Sequence, residues 1–205
     1  MTARADAPAK TAETEARAKH TAIEMARAAA PGLAARIGST PATTFRGNPD
    51  IFGRLVEDHD RHRALFAMVQ ETDGKSPERE RLFRELVHEV KAHAAAEEQA
   101  LWSTVLRNPD TTDDGRHAVH EHKQIDEMVA DLAARDMATR AWTERFEALK
   151  EKYLHHIREE EQEQFVAAEK HLSAADIRHM KGVFDRRKKE EKASVTIEEK
   201  IRLKS

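Results

Sequence analysis

Apolar residues recur every three or four positions through four long stretches of the chain, beginning near residue 50. This spacing keeps apolar side chains on one face of an α-helix, so it predicts amphipathic helices with one buried stripe. Because the connections between the stretches are short, consecutive helices are expected to run antiparallel. The pattern predicts an all-α fold, an up-down-up-down antiparallel four-helix bundle, with helices over residues 50–70, 77–107, 113–135 and 140–172.

Capping residues mark the beginnings of several predicted helices. Ser76 is followed by Pro77, which predicts an N-cap with proline at the first helical position. Thr139 predicts an N-cap for the fourth helix. Ser173 and Asp176 have the spacing of a capping box, which opens a fifth helix after the bundle.

Helical segments are also predicted on both sides of the bundle. A helix is expected over residues 11–30, and the Gly-, Ser-, Thr- and Pro-containing stretch over 38–49 is typical of a linker. The fifth helix covers 174–192, and its end DRRKKEEK, with the tail after Ala193, is expected to be solvated. The predicted organisation is an N-terminal extension, a four-helix bundle and a C-terminal helix with a charged tail, over residues 1–48, 49–173 and 174–205.

Composition narrows the function classes. A net charge of −3 gives the protein no strong electrostatic field, so neither nucleic acid nor an anionic membrane is expected as a partner. The absence of cysteine excludes disulfides, iron–sulfur clusters and thiolate zinc sites. No apolar run approaches the ~20 residues that span a bilayer, and the N-terminus lacks a signal-peptide core, so a cytoplasmic protein is expected. The histidine content is unusual, with 12 residues in the chain. Because histidine is the commonest metal-ligand side chain, this content directs attention to metal binding.

Five histidines are followed four residues later by a glutamate, where roughly one or two such pairs would arise by chance. The five pairs are His20/Glu24, His93/Glu97, His117/Glu121, His155/Glu159 and His156/Glu160. Position on the helix separates two of them from the rest, because their members continue the apolar stripes that face the bundle axis. These two are His93/Glu97 and His156/Glu160.

The remaining pairs are expected to be solvated. His155/Glu159 is rotated by roughly 100° from the stripe of its helix. His117/Glu121 also misses its stripe, and His20/Glu24 lies in the N-terminal extension.

The preceding helices supply two further inward-facing histidines. His59 lies on the stripe of the first helix, and His122 lies on the stripe of the third. His93 follows His59 by 34 residues, and His156 follows His122 by the same 34. A chain that runs up one helix and down the next returns to its starting level after equal lengths. The sequence therefore predicts a duplicated helical hairpin that brings four histidines and two glutamates to one level of the core.

Such a set suits a pair of metal ions. A buried glutamate needs a cation or a hydrogen-bonded partner, and two glutamates can bridge two ions that hold two imidazoles each. Nitrogen and carboxylate ligands without thiolate favour iron or manganese. The alternative is a histidine-rich bundle whose buried polar groups satisfy one another without metal.

The chain resembles the hemerythrin-like, or HHE cation-binding, family over roughly residues 50–172. The residues that carry the resemblance are His59, HAAAEE at 93–98, EH at 121–122 and HIREEE at 156–161. The resemblance implies a non-haem di-iron site with an oxo or hydroxo bridge, where His59 and His93 bind one iron and His122 and His156 the other. It implies bridging roles for Glu97 and Glu160, and O₂, NO or peroxide as the small ligand.

The sequence departs from the oxygen-carrying members at Asp126, where those proteins have a histidine four residues after the third-helix ligand. Asp126 is expected to ligate, to hydrogen-bond a ligand or to face water. His62 is a candidate additional ligand or lining residue, because it lies on the inward stripe one turn after His59. Tyr153, the only tyrosine, is a candidate hydrogen-bond donor, ligand or catalytic group, or an ordinary core aromatic.

Two classes of function follow from the resemblance. The first is a binding protein that senses, carries or handles oxygen or iron in redox responses. The second is a di-iron enzyme of peroxidase, catalase or oxidase type that activates O₂ or H₂O₂. A ferritin-like oxidase is a weaker match, because its helices carry Glu-x-x-His, the reverse order. A zinc-filled site would be non-redox.

Overall fold

A computed structural model describes residues 43–202, with side chains over 43–194. The helix expected over 11–30 and the pair His20/Glu24 lie outside these described residues. Within them the secondary structure is entirely helical. The α-helices are α1 (Ile51–Gln70), α2 (Pro77–Glu97), α3 (Ser103–Val105), α4 (Thr112–Ala133), α5 (Arg140–Glu159), α6 (Phe165–Glu169) and α7 (Ala174–Arg202).

The predicted caps open their helices. The hydroxyl of Ser76 accepts a hydrogen bond from the backbone N–H of Arg79 at 3.1 Å, and Thr139 accepts one from Trp142 at 3.2 Å. The Ser173 hydroxyl accepts a hydrogen bond from the backbone N–H of Asp176, and the Asp176 carboxylate accepts one from the backbone N–H of Ser173. This is the reciprocal pattern of a capping box. These contacts satisfy N–H groups that have no partner within the helix.

Two predicted helices contain an interruption that the sequence pattern did not predict. One π-helical turn, Glu98–Trp102, follows α2, and another, Glu160–Gln164, follows α5. Both turns lie at the end of an HxxxE pair on the inward stripe. Single π-helical turns inside α-helices are frequent at functional sites.

Apolar side chains form two separate clusters along the bundle. One cluster contains apolar side chains from residues 64–69 of α1 and 82–90 of α2. The other contains apolar side chains from residues 51–56 of α1 and from 96–105, which run from the end of α2 through the first π-helical turn to α3. Helix α1 packs against α2, and α4 packs against α5. The gap between the two clusters falls at the level of His59 and His93.

The C-terminal helix α7 packs along α1 and α2. Phe184 is completely buried, and Lys188 is only 4% exposed. The expectation that DRRKKEEK is a solvated end is therefore wrong for Lys188. Its ammonium group is paired with the buried carboxylates of Asp58 and Glu89, which the sequence pattern had not identified as partners. Within residues 43–202, no helix has the length and apolar character that a membrane span requires.

Candidate metal centre

Six polar side chains fill the gap between the two apolar clusters. None is more than 6% exposed, and both glutamates are completely buried. Helices α1, α2, α4 and α5 supply the histidines. Glu97 directly precedes the first π-helical turn, and Glu160 is the first residue of the second. The six residues are His59, His93, Glu97, His122, His156 and Glu160.

Five of the six side chains form two groups that share one carboxylate. His59 and His93 lie with Glu160, and their potential ligand atoms are all within 4.8 Å of one another. His122 and His156 form a second group with the same Glu160. Each group can hold a metal ion.

Glu97 also spans the two groups. Its Oε2 atom lies 3.5 Å from Nε2 of His93 and 3.5 Å from Nε2 of His122, so it faces one histidine from each pair. Glu160 similarly lies 3.3 Å from His59 Nε2 and 3.4 Å from His156 Nε2. The two glutamates therefore lie between the histidine pairs.

Each of the four histidines has a carboxylate beside its other ring nitrogen, Nδ1. The pairs are His59 with Glu161 at 2.9 Å, His93 with Asp58 at 3.2 Å, His122 with Glu98 at 3.0 Å and His156 with Glu121 at 2.9 Å. A carboxylate at Nδ1 fixes the tautomer that keeps its proton there, which leaves the Nε2 lone pair as the ligand atom. All four Nε2 atoms are thus directed at the shared glutamates.

Several buried atoms in this layer have no hydrogen-bond partner. Both carboxylate oxygens of Glu97, both of Glu160 and Nε2 of His122 are buried without one. Leaving such groups unsatisfied in an apolar interior is costly, especially for a carboxylate. A cation between the histidine pairs would satisfy all of them, so the residues present fit a metal site.

Electrostatics in the layer also favour a cation. Burial and the nearby charge of Glu97 raise the pKa of Glu160 well above its ordinary 4.5. Although burial opposes its charge, the adjacent imidazoles of His122 and His93, each 3.5 Å away, lower the pKa of Glu97. Burial lowers the pKa of His156 to about 4, which keeps its imidazole neutral. Cation binding would displace protons from this layer.

A cavity of about 400 Å³ reaches this layer from the surface. Its inner end is formed by His122, His156 and Tyr153, and apolar side chains including Val90 and Ile125 form its walls. A space of this size accepts a small molecule.

His62, Asp126 and Tyr153, the candidates for further ligands or lining residues, occupy different positions. His62 is completely buried, and its Nδ1 atom shares a hydrogen bond with the Tyr153 hydroxyl at 2.5 Å. His62 belongs to neither of the two ligand groups. Asp126 also lies outside them, with its side chain 53% exposed and paired with Lys91 at 2.8 Å.

Sequence reasoning missed Asp58 and Glu121 as partners of the inward histidines. A signal was present, because an acidic residue directly precedes the first histidine of each half, as Asp58–His59 and Glu121–His122. Glu98 and Glu161, which directly follow the two inward glutamates in the sequence, also lie beside an Nδ1 atom.

Comparison with known proteins identifies a family for the helical region of the chain. The model of a family described as the Hemerythrin HHE cation binding domain matches residues 50–168, which is more than half of the chain. The matched range contains all six buried histidines and glutamates and the four outer carboxylates. No curated protein and no solved structure matches the chain.

Proposed function

The chain belongs to the hemerythrin HHE cation-binding family, and on that premise we propose that it is a non-haem di-iron protein that binds O₂ or a related small ligand. The domain would be the up-down-up-down four-helix bundle of residues 49–173, and the fifth helix packs on its outside. Its role would be the sensing or handling of oxygen, iron or redox state.

The proposed ligand set follows the two groups. His59 and His93 would hold one iron, and His122 and His156 the other. Glu97 and Glu160 would bridge them, because each faces a histidine from both pairs. One observation carries this proposal: the oxygens of both glutamates are buried without hydrogen bonds between two pairs of correctly oriented imidazoles.

When bound, two ferrous ions would supply the electrons that binding or reduction of O₂ requires. The chain would supply the environment. Val90 and Ile125 give part of the cavity an apolar lining that offers no hydrogen bond to water. When His62 Nδ1 donates to Tyr153, the phenol proton is free for donation to a small molecule in the cavity.

Anaerobic reconstitution with ferrous iron, followed by exposure to air, tests the proposal. We expect a near-ultraviolet band on oxygenation that disappears when the oxygen is removed. A colourless protein that retains no iron after desalting would refute the di-iron function.

The Tyr153 hydroxyl at the inner end of the cavity also favours a second candidate, a di-iron enzyme that reduces peroxide. In that case the iron-loaded protein, supplied with an external electron donor, would reduce H₂O₂ to water over multiple turnovers. Tyr153→Phe would slow this turnover by roughly 10-fold or more because a positioned proton donor is lost. Reversible oxygenation without peroxide consumption would favour the binding function.

A further inference from the structure

Two HxxxE pairs outside the buried layer meet on the surface of the bundle. His117 and Glu121 are one turn apart on α4, and His155 and Glu159 are one turn apart on α5. Because α4 packs against α5, the two pairs face each other across the helix interface. His117 Nε2 lies 3.3 Å from Glu159 Oε2, a contact between the pairs.

The cluster has the donor set of a metal site. His117, Glu121 and Glu159 each offer a ligand atom, and these atoms lie within 4.8 Å of one another. His117 Nε2 is 3.5 Å from Glu121, and His155 Nε2 is 3.4 Å from the other oxygen of Glu159. One imidazole and two carboxylates therefore converge from two helices, and His155 adjoins them through Glu159.

Access and charge differ from those of the buried layer. The side chains of His117 and His155 are 52% and 56% exposed, so an ion can enter directly from solvent. Lys152 is paired with the Oε1 atom of Glu121 and offsets part of the charge. With neutral imidazoles, the two glutamates and this lysine leave a net negative charge, which attracts a cation.

We propose that His117, Glu121, Glu159 and His155 form a second, solvent-accessible site for a divalent transition-metal ion. Imidazole with carboxylate suits Fe²⁺, Zn²⁺ or Co²⁺, whereas Mg²⁺ and Ca²⁺ prefer oxygen ligands alone. Entry from solvent and competition with Lys152 make the site weaker and faster to exchange than the buried one.

Glu121 connects this surface site to the buried layer. Its Oε2 atom faces His117 and also accepts from His156 Nδ1 at 2.9 Å. A metal ion at the surface would be coordinated by the same Glu121 carboxylate that orients His156. The site is therefore positioned to capture an ion beside the buried layer, although it is built from different ligands.

Equilibrium dialysis of the full chain against Zn²⁺ tests the site. We expect the wild type to bind one more ion per chain than the double variant His117→Ala/His155→Ala, and excess Mg²⁺ to leave this difference unchanged. The matched control is His120→Ala/His171→Ala, which removes two other exposed histidines and should match the wild type. Glu159→Gln should lose the same ion.

Equal zinc content in the wild type and His117→Ala/His155→Ala would overturn the proposal and leave surface His–Glu ion pairs. Loss of the ion in the control as well would also overturn it, because binding would then be unspecific. The six residues of the buried layer and Glu121, which orients His156, stay intact in every variant. Failure of the di-iron function would lower the zinc count of all variants together and leave the difference in place.

Discussion

His156 Nδ1 lies 2.9 Å from a carboxylate oxygen of Glu121, which is 35 residues earlier in the chain. The same relationship recurs in the first half, where His93 Nδ1 lies 3.2 Å from Asp58, again 35 residues earlier. The duplication predicted from histidine spacing thus extends to the carboxylates that orient the histidines. This outer layer explains why all four Nε2 atoms face the interior.

Neutralising an outer carboxylate is expected to weaken metal binding. In Glu161→Gln the amide oxygen still accepts from His59 Nδ1, but the negative charge that makes the imidazole a stronger ligand is lost. We expect the affinity of one of two ferrous ions to fall by roughly 10- to 100-fold. Anaerobic titration with Fe²⁺ measures this change.

The control for Glu161→Gln is Glu163→Gln, because Glu163 is exposed and only two residues away. It should bind iron as the wild type does. Equal affinities for all three proteins would contradict the role assigned to the outer carboxylates.

Removing the buried ammonium of Lys188 is expected to destabilise the fold. Lys188→Met leaves the carboxylates of Asp58 and Glu89 buried without one of their cations. Such a change typically costs about 3 kcal/mol in the free energy of unfolding. Urea denaturation of the metal-free protein measures it, with the exposed Lys189→Met as a control expected to stay within about 0.5 kcal/mol. A similar stability for both variants would show that α7 is not anchored through this lysine.

Acid should weaken the fold partly through Glu89. Although burial opposes its charge, Lys188 and Lys192 lower the pKa of Glu89 from 4.5 to about 2. A folded-state pKa below the unfolded one contributes stability above pH 4.5, and this stability is lost as the pH falls towards 2.

The contribution of Glu89 amounts to roughly 3 kcal/mol at most. In Glu89→Gln the unfolding free energy should therefore depend less steeply on pH in this window than in the wild type. Urea titrations of the metal-free proteins at several pH values compare the slopes, with exposed Glu78→Gln as the control. Parallel curves for the wild type and Glu89→Gln would rule out this linkage.

The single tyrosine gives a direct spectroscopic prediction. Burial, together with the negative charges of Glu160 and Glu97, raises the pKa of Tyr153 well above 10. In the folded, metal-free protein, phenolate absorbance should therefore be absent at pH 10, whereas the urea-unfolded chain should show about half of its full signal. Phenolate absorbance in the folded protein below pH 10 would contradict a buried phenol.

Much of the fold and the buried layer could be predicted from the sequence, because helical periodicity and capping are local. The stripes placed His59, His93, His122 and His156 inside, and the matched spacing put them at one level. The structure brings these four side chains together with Glu160, and it places Glu97 3.5 Å from His93 and His122.

The remaining features depend on contacts between helices. Lys188 is buried because α7 packs on α1 and α2, and a charged run by itself does not reveal that packing. The π-helical turns after α2 and α5 shift the register of the following side chains, which a pattern of period 3.6 does not anticipate. Likewise, Glu121 appeared off the stripe, yet it is 2% exposed because it lies between Lys152 and His156.

The stoichiometry of tightly bound iron tests the central claim most directly. After anaerobic reconstitution with Fe²⁺ and desalting, we expect two iron ions per chain in the wild type and at most one in Glu160→Ala, because both groups share that carboxylate. Desalting removes ions held weakly at the surface. Fewer than one iron ion per chain in the wild type, or an unchanged count in Glu160→Ala, would contradict a pair of metal ions held by shared glutamates.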